Sequence, residues 1–168
     1  MKESGVTLLE LLTTLAIVMI LASVAMPVTK VTMTRERELE LRQALRTVRN
    51  AIDAFKADWN REGDVLLGPM CLKNKLTCKE VTSIYGYPKS LNLLLSMTLT
   101  GEEATARGTT IKRYLRGIPS DPMTGKNDWI VRCYADQPNT RAWCGMDVFD
   151  IGTQSEGVAL NGTRYQDW

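Results

Sequence analysis

The amino-acid sequence predicts an α+β fold in which one long N-terminal helix, membrane-spanning in its first half and amphipathic in its second, packs on a small antiparallel sheet. Three observations carry that prediction. Residues 6–26 are apolar almost without a break. Leu41, Leu45, Val48, Ile52, Phe55 and Trp59 then recur at steps of four and three, the period of one helix face. Beyond residue 60 the pattern turns irregular, with Gly and Pro punctuation and short apolar runs at 129–134 and 148–151 that read as strands.

The apolar run opens the chain. From Val6 to Met26 it covers roughly 30 Å as a helix, the thickness of a bilayer core. An uncleaved signal peptide is a poor match, because the stretch is too long and no small-residue cleavage site ends it. An ordinary membrane anchor explains the length but not Glu10. A carboxylate inside an apolar helix costs on the order of 3 kcal/mol unless it finds a partner. Glu10 therefore reads as a functional group.

Gly5 followed by Val6-Thr7-Leu8-Leu9-Glu10 and an apolar run resembles the class III signal of type IV pilins and type II secretion pseudopilins. The resemblance implies that a prepilin peptidase cuts between Gly5 and Val6 and methylates the new amino terminus. It also implies that Glu10 neutralises the terminal amine of a neighbouring subunit, so that pairing offsets much of the cost of two buried charges. The family usually has Phe or Met where this chain has Val6. Lys2 is offset by Glu3, which weakens the positive-inside signal of the leader. Four segments follow: a leader over 1–5, a membrane or filament-core helix over 6–27, its amphipathic continuation over 28–60, and a periplasmic head over 61–168.

Pro27 ends the apolar run, removing one backbone hydrogen bond and bending or loosening the turn before it. Past it, Arg42, Arg46, Arg49, Asp53 and Lys56 fall on faces other than the apolar stripe. The stripe is read as the face packed against the head; a two-stranded coiled coil competes weakly, over three heptads of mixed residues. One helix from about residue 6 to residue 60 would run roughly 80 Å. Arg35-Glu36-Arg37-Glu38 reads as a solvated face.

In the head, residues 63–87 read as loop, Pro88 as the first residue of a helix running to Met97, and 101–108 as a second loop. Two prolines and two glycines between Tyr114 and Gly125 exclude a regular element there. Tyr114-Leu115, Ile118-Pro119-Ser120-Asp121-Pro122-Met123-Thr124-Gly125, Asp128-Trp129 and the tail from Phe149 to Trp168 resemble pseudopilins more than adhesive pilins. Major pseudopilins of type II secretion bind calcium in their C-terminal loop, which makes Glu156, Asn161 and Asp167 the calcium candidates here. Calcium takes about six to eight oxygen ligands. Three scattered side chains fall short of that, and the plainer reading is a loop tied down by packing of Tyr165 and Trp168. The sequon Asn161-Gly162-Thr163 reads as a turn.

If the head lies in an oxidising space, its four cysteines point to two disulfides, with three connectivities open. Cys71 with Cys78 and Cys133 with Cys144 are preferred because each closes a short local loop. Zinc lacks its usual ligand spacing, and the C-x-x-C of a thioredoxin-like redox site is missing.

Composition narrows the function. The 168 residues suffice for one ordinary domain, and 24% charged against 44% hydrophobic is a folding composition. A net charge of +2, with no basic patch interleaved with aromatics, argues against nucleic acid as a partner. The chain has no histidine, so a Ser-His-Asp arrangement and the usual catalytic zinc sites are impossible. A non-enzymatic subunit is expected. The leading expectation is a pseudopilin at the bacterial inner membrane with its head in the periplasm. It would polymerise with copies of itself and minor pseudopilins on an inner-membrane assembly platform, driving protein export. Presence of Glu10 counts against the tip-capping subunit, which typically lacks it. The alternative is a pilin of an extracellular fibre used for adhesion, motility or DNA uptake. An anchored enzyme or redox protein is the third and weakest reading.

Overall fold

The structure, a computed structural model, describes residues 5, 7–60, 69–73, 75–100, 108, 110–138 and 140–168. The chain divides into two compact units, Met1–Arg37 and Glu38–Trp168. Helix α1, Leu8–Trp59, starts in the first unit and ends in the second. In the first unit the helix continues through position 27, so the proline that ends the apolar run does not end the helix.

The second unit is built on the apolar stripe. Leu41, Leu45, Val48, Ile52, Phe55 and Trp59 are all at most 2% exposed. Burying side chains of this size stabilises the fold by about 1.5–3 kcal/mol each, which is why this half of α1 holds the head rather than standing free. Phe55 stacks on Trp59 with centroids 5.7 Å apart and meets Tyr114 at 5.5 Å. Arg42, Arg46 and Asp53 face solvent, as their positions off the stripe predict, and Arg49 and Lys56 are half-buried.

Two short helices follow, α2 at Pro69–Lys73 and α3 at Lys75–Val81. They occupy part of the stretch read as loop. Five and seven residues are too few to display a helical period, and a disulfide between Cys71 and Cys78 closes the pair. A turn over Ser83–Gly86 then lies against the end of α1. The Gly86 amide donates to the Ser83 carbonyl at 3.1 Å, with Gly86 at φ +80°. A Cβ at Gly86 would come within 2.5 Å of Asn60, so only glycine fits.

Pro88 does not begin a helix. It bridges Thr82, and its carbonyl accepts the Val148 amide at 2.8 Å. The helix that follows, α4, is one turn at Asn92–Leu95 with Leu94 fully buried. The Leu94 carbonyl accepts both the Tyr114 and Leu115 amides, at 2.8 and 2.9 Å.

The strands form two antiparallel pairs. β1 (Met97–Thr98) pairs with β2 (Ile111–Lys112), placing Met97 opposite Lys112. β3 (Ile130–Arg132) pairs with β4 (Asp150–Gly152), placing Val131 opposite Ile151. The second pair falls on the two runs expected as strands, with β3 inside 129–134 and β4 overlapping 148–151 but shifted to end at Gly152. The first pair was not expected, because two-residue strands carry no alternation to read. The proposed loop over 101–107 lies outside the described residues. No strand or helix forms over Tyr114–Gly125, in keeping with its prolines and glycines. A single 3-10 turn, Tyr165–Asp167, closes the tail.

Candidate assembly site

Over residues 8–21 the first unit presents apolar surface on every side of the helix. Leu8, Leu9, Leu11, Leu12, Leu15, Ile17, Val18, Met19, Ile20 and Leu21 are between 48% and 80% exposed. Water does not tolerate such a surface, since each of these side chains gains about 1.5–3 kcal/mol when it is covered. The hydroxyls on the same helix are internally satisfied. Thr13 donates to the Glu10 carbonyl at 2.9 Å, Thr14 to Leu11 at 3.0 Å and Ser23 to Ile20 at 2.7 Å. This segment of α1 is therefore long and apolar enough to cross a bilayer, and its side-chain hydroxyls add no unmet hydrogen bond.

Glu10 sits at the opening of that helix. Thr7 occupies the N-cap, its carbonyl accepting the Leu11 amide at 3.1 Å and its hydroxyl accepting the Glu10 amide at 3.3 Å. Thr7-x-x-Glu10 is thus the threonine half of a capping box, with Glu10 at the third helical position. The carboxylate also lies in the first turn, where the helix dipole favours negative charge. Its side chain is exposed and has no cation within ion-pair distance among the described residues. The cap signal is legible in the sequence as T-x-x-E before an apolar run, a local role beside the assembly role expected of Glu10. Gly5 has open space around it. Val6, the other residue of the proposed processing site, lies outside the described residues, as do residues 1–4.

The head places the remaining candidates apart. Arg141 takes the Glu156 carboxylate at 2.8 Å and the Gln166 side-chain oxygen. Arg164 takes Asp167 at 3.1 Å. The Asn161 side-chain oxygen accepts the Thr163 amide and hydroxyl at 3.1 and 2.7 Å, turning the sequon tightly. The two calcium-candidate carboxylates are thus each held by an arginine, and Asn161 is turned onto its own loop. Cys133 and Cys144 form the second disulfide. Asp147 lies close to both sulfurs, but sulfurs joined to each other are not thiolate ligands.

Three polar residues of α1 fasten the head to it, in roles that the sequence does not signal. Glu38, expected to be solvated, accepts the Leu160 amide at 2.8 Å and the Tyr165 hydroxyl at 3.1 Å. Burial first, then the hydrogen bond to Glu38 and its charge, push the Tyr165 phenol above its ordinary value. Arg49 donates to both oxygens of Asp150 at 2.7 and 3.3 Å, and to the Ile151 and Trp168 backbone oxygens. Asp58 accepts from Lys112 and, at 2.7 Å, from Tyr114, whose hydroxyl accepts the Trp59 indole at 2.9 Å. Partners 54 to 127 positions away in the chain make such roles invisible to local spacing.

A family model described as the prokaryotic N-terminal methylation motif matches residues 1–26. No curated protein and no solved structure matches the chain. The motif covers Gly5, Thr7, Glu10 and the apolar part of α1 up to Met26, so the helix that exposes its apolar surface is the one bearing a type IV pilin-like signal.

Proposed function

We propose that this chain is a membrane-anchored structural subunit that polymerises through the N-terminal part of α1. One observation carries the reading: a methylation-motif helix, apolar on all described sides, bears one carboxylate with no cation beside it among the described residues. A carboxylate in lipid costs on the order of 3 kcal/mol. The amine created by cutting between Gly5 and Val6 of an adjacent copy supplies a counter-charge, and pairing two buried charges lowers the cost of both. Assembly then becomes the state of lower energy.

In this reading residues 1–5 are a leader removed by a prepilin peptidase, and residues 6–27 lie in the inner membrane or the filament core. Residues 28–60 carry the head, which occupies the periplasm, where the two disulfides are stable. The finer assignment is a pseudopilin of type II secretion, working with minor subunits and an inner-membrane platform to export folded proteins. Its support is the likeness of the sequence around Ile118–Gly125 and in the tail. The calcium candidates play no part in it.

The test separates charge from helix capping. Glu10→Gln keeps a residue able to complete the capping box but removes the charge. It is expected to abolish filaments while the membrane-inserted helix and folded head persist, measured by electron microscopy of sheared cells and by circular dichroism. The parent's mature mass should show loss of residues 1–5 and one methyl group on Val6. Normal filaments from Glu10→Gln, or an intact leader, would remove the proposal.

A further inference from the structure

The second half of α1 has two unlike flanks. Arg42, Arg46 and Arg49 are spaced four and three apart and lie along one side of the helix. With Leu45 and Trp168 they line an open groove of about 330 Å³. The three arginines are not equivalent. Arg49 spends its donors on Asp150 and two backbone oxygens. Arg42 lays its guanidinium over the Trp168 ring at 4.2 Å, a contact that uses the face of the group and leaves its in-plane N–H donors free for an acceptor. Arg46 is exposed and meets no carboxylate, carbonyl or ring among the described residues. The groove thus holds two guanidinium groups without an acid, beside an aromatic wall.

Across the helix lies the complement. Glu40, Gln43, Ala44 and Thr47 line a second groove of about 420 Å³ against the loop Pro119–Gly125. Asp121 in that loop is fully buried and holds the Met123 amide at 2.8 Å and the Thr153 hydroxyl. Glu40 is the exposed carboxylate on this side and has no partner among the described residues. Two residues of advance on a helix turn the side chain by about 200°, so Glu40 and Arg42 project to opposite flanks.

We infer that the arginine groove receives Glu40 of a second copy of this chain, with Arg46 and Arg42 as the receiving groups. A guanidinium fork matches a carboxylate in plane and charge, and a half-covered site beside Trp168 strengthens the pair relative to open water. Charge complementarity chooses the occupant, because α1 carries both the arginines and an acid that have no ion-pair partner among the described residues. The contact joins different patches on the two copies. Made head to tail, with one pair per interface, such a contact repeats from copy to copy and builds a fibre wherever its rotation does not close into a ring. The inference rests on the filament reading above, and adds to it a head-level contact independent of Glu10.

The experiment uses the full-length chain in its own membrane. Arg46→Glu and Glu40→Arg are expressed singly and together as an equal mixture of the two variants. Each alone faces like charge across the contact and is expected to lower pelletable polymer about ten-fold. The mixture restores it, since each variant then meets the opposite charge on its neighbour, and no pairing within one chain produces that rescue. Singles that assemble like the parent, or a mixture that stays dispersed while both heads resist protease, overturn the inference. Should a reversal unfold the head, Arg46→Gln and Glu40→Gln replace it, and each must lower polymer about three-fold. A parent that makes no polymer removes the filament reading and this contact with it. A parent that assembles beside unaffected variants removes the contact alone.

Discussion

Arg49 offers the sharpest test of how the head is held on α1. The substitution Arg49→Ala removes four donor contacts, two to Asp150 and one each to the Ile151 and Trp168 backbone oxygens. Among the described residues Asp150 is left with Arg132, at 3.4 Å. Hydrogen bonds to charged groups contribute about 1.5–3 kcal/mol each and neutral ones about 1 kcal/mol, without being additive. The Arg49 side chain is 34% exposed, so water recovers part of the loss. A net cost of about 2–3 kcal/mol is expected. For a unit of this size that lowers Tm by about 6–15 °C. The assay is thermal unfolding of the full chain in detergent, followed by near-ultraviolet circular dichroism, because Trp168 sits beside the lost contacts. Arg49→Lys should recover less than half, since an ammonium cannot form the two-pronged contact. A double-mutant cycle with Asp150→Ala should give a coupling of about 1–2 kcal/mol. A loss below about 0.5 kcal/mol for Arg49→Ala would refute the claim that this arginine ties the tail and the β3–β4 pair to α1.

Two further outcomes follow from the same unit. Because the Tyr165 phenol is raised in the folded chain, the folded state holds its proton more tightly than the unfolded one. Its stabilising share is complete below the ordinary phenol value of about 10 and falls as pH rises through the folded value. The stability gap between parent and Tyr165→Phe, measured by denaturant titration, should therefore narrow above about pH 10; a constant gap contradicts the burial of the phenol against Glu38. Phe55 is fully buried between Trp59 and Tyr114, so Phe55→Ala should cost about 3–5 kcal/mol. Calorimetry showing a loss under about 1 kcal/mol would mean the stripe is not the core.

The long helix was legible because its signals are local and repeated. A six-member apolar stripe at steps of four and three leaves few alternatives, and every member is buried. The β3 and β4 strands were legible for a related reason, β3 lying within an apolar run and β4 overlapping one. What escaped was short or long-range. Helices α2 and α3 fall below the length at which a period shows, and β1 with β2 have two residues each. Pro88 is an acceptable first helical residue by local rules, yet its carbonyl is claimed by Val148, sixty positions away in the chain, and the helix starts later. Glu38 looked like one more charge on an alternating surface run until the tail folded onto it and gave its carboxylate two donors.

Glu10 shows how a structural reason and a functional one come to share a residue. The sequence argument treats a carboxylate in an apolar helix as a cost needing a partner from outside. The geometry adds that Glu10 lies at the third helical position after a threonine cap, where a glutamate is favoured by the free amides and by the dipole. Those local terms are worth about 0.5–2 kcal/mol, less than the roughly 3 kcal/mol that insertion exacts. Capping therefore reduces the charge's penalty without cancelling it. In the proposed assembly, the remainder is what a neighbour's amine would recover. Glutamine at the same place keeps the cap and forfeits that remainder. The comparison of Glu10→Gln with Glu10→Ala thus separates the part of the residue that starts the helix from the charge to which the proposed assembly contact is assigned.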